Sequence, residues 1–98
     1  MVNFDYSQLF SIYKGLLTDK QADVFSLYTE CDLSLGEISE IKNISRQGVS
    51  DTVNKTKELL LFYESKLKIL EKKRELYKIK ESITDEKVKV EISKLLEE

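Results

Sequence analysis

Apolar side chains recur every three or four residues through most of the chain, which is the spacing of amphipathic helices. The first such run predicts a helix from about Phe4 to Leu17, and the second run ends near Cys31. A shorter run follows over residues 35–42, and a fourth begins after Ser45. The chain has no proline and only three glycines, too few turn residues for a β-sandwich or barrel, so we predict an all-α protein.

Two of these helices begin with a capping box. Thr18 precedes Gln21 by three residues, and Ser34 precedes Glu37 by the same interval. In this motif the hydroxyl accepts a hydrogen bond from one free backbone N–H, and the amide or carboxylate reaches back to another. Ser45 is the predicted cap of the next helix.

The third and fourth helices form a predicted helix-turn-helix. Asn43 tolerates the left-handed backbone that a tight turn needs, so about three residues suffice to join the two helices. The residues expected to face inward across this motif are Ile38, Ile41, Ile44, Val49 and Val53.

The apolar pattern of the fourth helix continues as a seven-residue repeat, and it extends further along the chain than a compact helix-turn-helix domain requires. An unbroken helix over residues 45–82 would be about 57 Å long, so the chain either projects and pairs with another copy or breaks and folds back. We predict a helix-turn-helix domain over residues 1–62 and a long C-terminal helical arm for dimerisation or docking over residues 63–98, with a cap at Asp85 for its last helix. The predicted dimer seam consists of Leu60, Tyr63, Leu67, Leu70 and Tyr77.

The residue types present exclude several kinds of chemistry. With no histidine and one cysteine, the chain can form neither an intrachain disulfide nor a Cys/His zinc site. No carboxylates are arranged as a catalytic pair, and there is no glycine-rich phosphate loop, so we expect no enzyme activity, cofactor or metal. The N-terminal residues lack the pattern of a signal peptide, and no run approaches the roughly 20 apolar residues that span a bilayer, so we expect a cytoplasmic protein without membrane insertion.

The formal net charge of −2 hides an uneven distribution of charge. Residues 1–44 carry a net charge of −4, residues 45–80 carry +5 and residues 81–98 carry −3. The basic excess forms either an arm that binds RNA or phosphate, or a coiled-coil or docking helix whose lysine stems lie along its apolar edges. We favour the second interpretation. This secondary basic patch comprises Lys66, Lys72, Lys73, Arg74 and Lys80.

If the helix after Ser45 is a recognition helix, its N-terminal residues meet base edges in the major groove. An arginine there can pair with guanine and an amide side chain with adenine, whereas lysines hold phosphates. The alternative is a merely solvated helix face, and Asp51 opposes DNA binding. The candidate nucleic-acid-binding residues are Arg46, Gln47, Ser50, Asn54, Lys55 and Lys57, with Lys42 as a further phosphate contact.

More than half of the chain resembles the YlxM family of helix-turn-helix proteins from Gram-positive bacteria and mycoplasmas. The matching segments are LLTDKQ at 16–21, LY at 27–28, DLSLGEI at 32–38, SRQGV at 45–49 and YESKL at 63–67. The arrangement is also similar to region 4 of bacterial sigma factors, a four-helix module whose last helix reads promoter DNA. The resemblance implies that fold and a link to the signal recognition particle pathway.

We therefore expect a regulatory protein that acts by binding rather than by chemistry. The first hypothesis is a DNA-binding regulator whose homodimer places two recognition helices about 34 Å apart on duplex DNA. The second hypothesis rests on the resemblance and the secondary basic patch. It is a module that binds the RNA or the GTPase of the signal recognition particle without reading DNA.

Overall fold

A computed structural model describes residues 6–96, and this part of the chain contains six α-helices, a short 3-10 helix and no β-strand. This architecture confirms the predicted all-α fold. Phe4, the predicted start of the first helix, lies outside the described residues. The helices are α1 (Tyr6–Tyr13), the 3-10 helix (Lys14–Leu16), α2 (Asp19–Thr29), α3 (Leu35–Lys42), α4 (Arg46–Leu67), α5 (Ile69–Ser82) and α6 (Glu86–Leu96).

Both predicted capping boxes are present. The N–H of Gln21 donates to Thr18 Oγ1 over 3.1 Å, and the N–H of Thr18 donates to Gln21 Oε1 over 3.0 Å. Ser34 and Glu37 form the same pair of hydrogen bonds, each 3.1 Å long. The starts of α2 and α3 are therefore set by hydrogen bonds within four consecutive residues, which is why the sequence predicts them.

The core of the first compact unit, residues 1–67, lies where α1, α2 and α3 pack against α4. Phe25 is completely buried, and its ring centroid lies 5.4 Å from that of Phe10 and 5.9 Å from that of Tyr28. The hydroxyl of Tyr13 donates a 2.6 Å hydrogen bond to Glu64, which ties α1 to α4. The most deeply buried residues are Leu9, Phe10, Tyr13, Val24, Phe25, Ile38, Val49, Val53, Thr56 and Leu60.

One predicted core position in the helix-turn-helix is wrong. The residues predicted to face inward are mostly buried or half-buried, but Ile41 is 59% exposed. Ile41 follows Ile38 by three residues, so it lies about 60° around the axis of α3 from that buried side chain. Because α3 packs against α2 and α4, which cover the side of Ile38, this rotation is enough to leave Ile41 in solvent.

The helix over residues 45–82 is not continuous. Helix α4 ends at Leu67, and Lys68 adopts the left-handed conformation at φ 54° and ψ 34° before α5 begins. A single left-handed residue turns the chain out of the helical path, so the seven-residue seam is interrupted here. The chain divides into two compact units at the same position, residues 1–67 and 68–98, whereas the predicted domain boundary follows residue 62.

The second unit is a pair of helices in which α5 packs against α6. Asp85 caps α6 as predicted, because its Oδ1 accepts from the N–H of Lys87 over 2.9 Å and from that of Val88 over 3.4 Å. Ile92 and Leu96 are the residues of α6 that this packing buries. Within residues 6–96, no helix combines the length and the apolar character needed to cross a membrane.

Candidate nucleic-acid interface

The turn between α3 and α4 is held by local hydrogen bonds. Asn43 ends α3 in the left-handed conformation at φ 55° and ψ 45°. Ser39 closes the turn, because its hydroxyl donates to the carbonyl oxygen of Ile44 over 2.5 Å and its carbonyl accepts from the Ile44 N–H over 3.2 Å. Ser45 Oγ then accepts from the N–H of Gly48 over 2.9 Å and caps α4 as predicted. These contacts fix the direction in which α4 leaves the turn.

The first three turns of α4 bury one side and leave the other in solvent. Val49 and Val53 lie in the core, and Ser50 is half-buried at the edge of the solvent side. The exposed residues on that side, which we call the outer face of α4, are Gln47, Asp51, Asn54, Lys55 and Glu58. The structure thus brings three of the predicted site residues, Gln47, Asn54 and Lys55, onto one surface.

The outer face of α4 does not carry a positive charge. Asp51 and Glu58 outnumber Lys55, and the whole first unit has a net charge of −3. The side-chain amide of Gln47 donates to Asp51 Oδ1 over 2.9 Å, so both groups have a partner within the helix. Long-range attraction to a polyanion is consequently weak here, and binding to a nucleic acid must depend on specific hydrogen bonds.

Arg46, the first residue of α4, is exposed but does not extend along the outer face. Its guanidinium lies against Gly36 in the first turn of α3. The sequence alone gives no sign of a functional role for Gly36, since a contact between two helices leaves no signal in the local spacing of residues.

Two of the predicted phosphate-binding lysines have partners within the protein. The Nζ of Lys57 lies 5.2 Å and 5.1 Å from the ring centroids of Tyr6 and Tyr28, and 3.4 Å from the Tyr28 hydroxyl. This half-buried lysine joins α4 to α1 and α2, so it does not belong to the outer face. Lys42 forms a 3.4 Å ion pair with Asp23 on the surface. Such a pair contributes only about 0–1 kcal/mol and leaves Lys42 able to exchange partners.

The residues of the secondary basic patch do not share one face. Lys66 lies on α4 with its Nζ 5.8 Å from the ring centroid of Phe62, and the others lie on α5. Consecutive helical residues point about 100° apart, so residues 72–74 surround α5 rather than line it. Lys73 and Lys80 are half-buried, and Lys80 Nζ lies 5.3 Å from the ring centroid of Tyr77. These placements support the interpretation in which lysine stems cover apolar surface.

The residues of the predicted dimer seam are divided between the two units. Leu60, Tyr63 and Leu67 lie on α4, and Leu70 and Tyr77 lie on α5. Leu60 is completely buried in the core, so it belongs to the packing of the first unit rather than to an open surface. Leu67 and Tyr77 expose 48% and 47% of their surface. Because α4 ends before α5 begins, these residues do not form one straight helical seam.

The perturbed carboxyl group in this region serves as a helix cap. The backbone N–H and the side chain of Ser34 hydrogen-bond to Glu37 and hold the pKa of its carboxyl below its ordinary value. Glu37 therefore remains ionised near neutral pH and does not exchange protons there. Among residues 6–96, no cluster of cysteine, aspartate or glutamate side chains is placed to hold a metal ion. The outer face of α4 is therefore a candidate surface for binding.

A short helix, a fixed left-handed turn and a longer helix with a polar outer face define a helix-turn-helix protein. A comparison with protein families agrees with this class. The chain belongs to the UPF0122 family, whose model, described as "Putative helix-turn-helix protein, YlxM / p13 like", matches residues 3–98. The match confirms the resemblance to the YlxM family.

Curated relatives share a large part of the sequence. The chain is 48% identical to a UPF0122 protein of Caldanaerobacter subterraneus over 79% of this chain and 66% of the relative. It is 43% identical to one of Thermoanaerobacter pseudethanolicus over 92% of this chain and 83% of the relative. It is 50% identical to one of Mycoplasma mycoides over 69% of this chain and 60% of the relative. The chain thus spans about two thirds of the length of several of its relatives.

Proposed function

We propose that this protein is a regulatory protein that binds double-stranded DNA through α3 and α4. The observation that carries the proposal is the fixed turn at Asn43, which leaves the outer face of α4 in solvent while Val49 and Val53 anchor the opposite side. In helix-turn-helix proteins the second helix of such a pair enters the major groove and the first crosses the DNA backbone. Membership of a helix-turn-helix family supports the same function.

Within this proposal, the amide side chains of α4 read bases. Asn54 is exposed, and neither a hydrogen bond nor an ion pair within residues 6–96 engages its amide, so both its donor and its acceptor are available to adenine. Gln47 must first exchange its hydrogen bond to Asp51 for one to a base. Ser50 reaches bases from the edge of the outer face, and Lys55 contacts phosphate.

Selection from a pool of random duplexes at low salt tests the proposal. We expect an enriched sequence motif, and Asn54→Ala should relax the preference at one position by about 1–3 kcal/mol. Glu58→Gln is the matched control, because it removes one negative charge from the same face. It should strengthen binding to all duplexes without changing the motif. If the wild-type protein retains no duplex at low salt, the DNA-binding function is wrong.

We also propose that the protein acts as a homodimer. The exposed apolar surfaces of Leu67 and Tyr77 support this, since a second copy would remove them from water. A dimer would place its two α4 helices in successive major grooves, about 34 Å apart. Analytical ultracentrifugation at micromolar concentration should find twice the chain mass of 11.4 kDa, and a single 11.4 kDa species would contradict the dimer.

A second candidate function is binding to the RNA or the GTPase of the signal recognition particle, without DNA reading. It is favoured by the acidic side chains Asp51 and Glu58 on the outer face, which oppose duplex DNA, and by the exposed Lys72 and Arg74 on α5. Pull-down against both components distinguishes the candidates. Replacing Lys72, Lys73 and Arg74 should weaken this interaction and leave DNA binding unchanged, whereas retention of neither component would remove the candidate.

A further inference from the structure

The guanidinium of Arg46 lies against α3 at Gly36, where a side chain would crowd it. A Cβ atom at Gly36 would lie 3.0 Å from Nη2 of Arg46 and 3.1 Å from both Cζ and Nε. Ordinary contacts between non-bonded carbon atoms are about 3.5–4.0 Å. An alanine at residue 36 would therefore push the Arg46 guanidinium away from α3 by a few tenths of an ångström.

The guanidinium held in this way has no hydrogen-bond or ion-pair partner among residues 6–96. Glu37, the acidic residue in the adjacent first turn of α3, accepts its hydrogen bond from Ser34 instead. Its planar fork of N–H donors is thus available to an anionic ligand. The side chain extends from the first residue of α4 to the second residue of α3, so its charge lies beside the first helix of the motif.

We propose that Arg46 is a phosphate anchor and that Gly36 is the positioning residue that holds it. The inference rests on the DNA-binding function proposed above. In helix-turn-helix complexes the first helix crosses the DNA backbone, whereas base edges meet the outer face of the second helix. A guanidinium beside α3 therefore meets phosphate oxygens, which its fork binds in bidentate fashion. This role differs from the guanine contact that the sequence analysis suggests for Arg46.

The two roles of Arg46 make different predictions for DNA binding. Removal of a phosphate contact weakens binding to all sequences alike and reduces the salt dependence by about one unit of slope, whereas removal of a base contact relaxes the preference at one position. We expect Arg46→Ala to weaken binding to a set of unrelated duplexes about tenfold and uniformly. Lys14→Ala is the charge control, because Lys14 is an exposed cation on a different element, and it should have a much smaller effect.

The positioning role of Gly36 is tested by a double-mutant cycle. Gly36→Ala replaces glycine with a better helix former in α3, so the variant should fold, and it should weaken duplex binding only while Arg46 is present. Gly15→Ala is the matched control, since no atom lies within 4 Å of a Cβ at Gly15. The nuclear magnetic resonance signal of the Arg46 Nε–Hε group should shift in Gly36→Ala and stay in place in Gly15→Ala.

The outcomes test the phosphate anchor at Arg46 separately from the proposed DNA-binding function. Uniform weakening by Arg46→Ala, together with no further effect of Gly36→Ala in the Arg46→Ala background, supports the phosphate anchor. A change in the order of preferred duplexes with an unchanged salt slope would overturn it, and so would an effect of Gly36→Ala that persists without Arg46. In either case the wild-type protein still binds DNA, and the proposed function stands. If the wild-type protein binds no duplex, the function fails and the anchor fails with it.

Discussion

The two compact units differ most in how deeply their apolar side chains are buried. In the first unit Leu9, Phe25 and Leu60 are completely inaccessible to solvent. In the second unit the best-covered residues are Ile92 and Leu96, which remain 8% and 9% exposed. About 30 residues bury too little surface to make a stable core by themselves. The helix-turn-helix therefore belongs to the more stable of the two units. This stability keeps the turn at the N-terminal end of α4 in place.

The units also differ in charge, and the difference is the opposite of that expected if the first unit binds DNA. Residues 1–67 carry a net charge of −3, and residues 68–98 carry +1. The unit with the helix-turn-helix is thus the more acidic one, so the DNA binding proposed above would depend on a few well-placed donors. That requirement gives individual groups such as Arg46 and Asn54 more weight than they would have on a strongly basic surface.

The largest effect is expected from the core of the first unit. Phe25→Ala removes a completely buried ring that packs against Phe10 and Tyr28, and it should destabilise this unit by about 3–5 kcal/mol. Phe62→Ala is the control, because the Phe62 ring is 55% exposed and should matter little. Urea unfolding followed by circular dichroism measures both. Equal losses of stability would show that the core does not lie where α1 and α2 meet α4.

A smaller and local effect is expected in the second unit. Ile92→Ala should cost about 2 kcal/mol, at the low end for such substitutions, since Ile92 is less completely enclosed than Phe25. Amide hydrogen exchange should become faster in α5 and α6 and remain unchanged in α1–α4. Faster exchange throughout both units would contradict the division of the chain at Lys68.

Features that depend on neighbouring residues could be predicted from the sequence, and features that depend on packing could not. The capping boxes at Thr18 and Ser34 and the turn at Asn43 each involve hydrogen bonds or backbone angles within a few residues. The break at Lys68 has no such signal, because no glycine, proline or asparagine marks it and the apolar repeat continues across it. The sequence therefore leaves open whether this helix is continuous, and the structure divides it into α4 and α5.

The same distinction between local features and features set by packing applies to the candidate site. The periodicity of α4 correctly separates the buried Val49 from the exposed Asn54, since both depend only on their angle around one helix. The placement of Lys57 between two tyrosines depends on how α1 and α2 pack against α4. The position of Arg46 depends likewise on α3, so sequence reasoning finds this residue but not the surface on which it lies.

The hydrogen bonds that join α1 and the 3-10 helix to α4 should contribute less to stability than the aromatic core. Tyr13→Phe removes the 2.6 Å bond to the Glu64 carboxylate and should lower the free energy of unfolding by about 1–2 kcal/mol. Tyr63→Phe removes only a 3.3 Å bond to the carbonyl oxygen of Leu16 and should cost about 0.5 kcal/mol. Urea unfolding of the two variants gives the comparison. The reverse order of effects would show that Glu64 does not hold α1.

The smallest expected effect is a pH dependence confined to the first unit, at Glu37. Hydrogen bonds from Ser34 lower the pKa of this carboxyl in the folded protein, so its contribution to stability is present above the unfolded pKa and is lost as the pH falls through the folded pKa. Glu37→Gln should keep the cap at neutral pH, as Gln21 does in the other capping box, and should be less sensitive to acid. Thermal unfolding midpoints of the wild type and the variant, measured from neutral pH down through pH 4.5, test this. The converse substitution Gln21→Glu should introduce the same acid sensitivity into α2. If the unfolding midpoints of all three proteins depend on pH in the same way, the capping carboxylate does not couple protonation to folding.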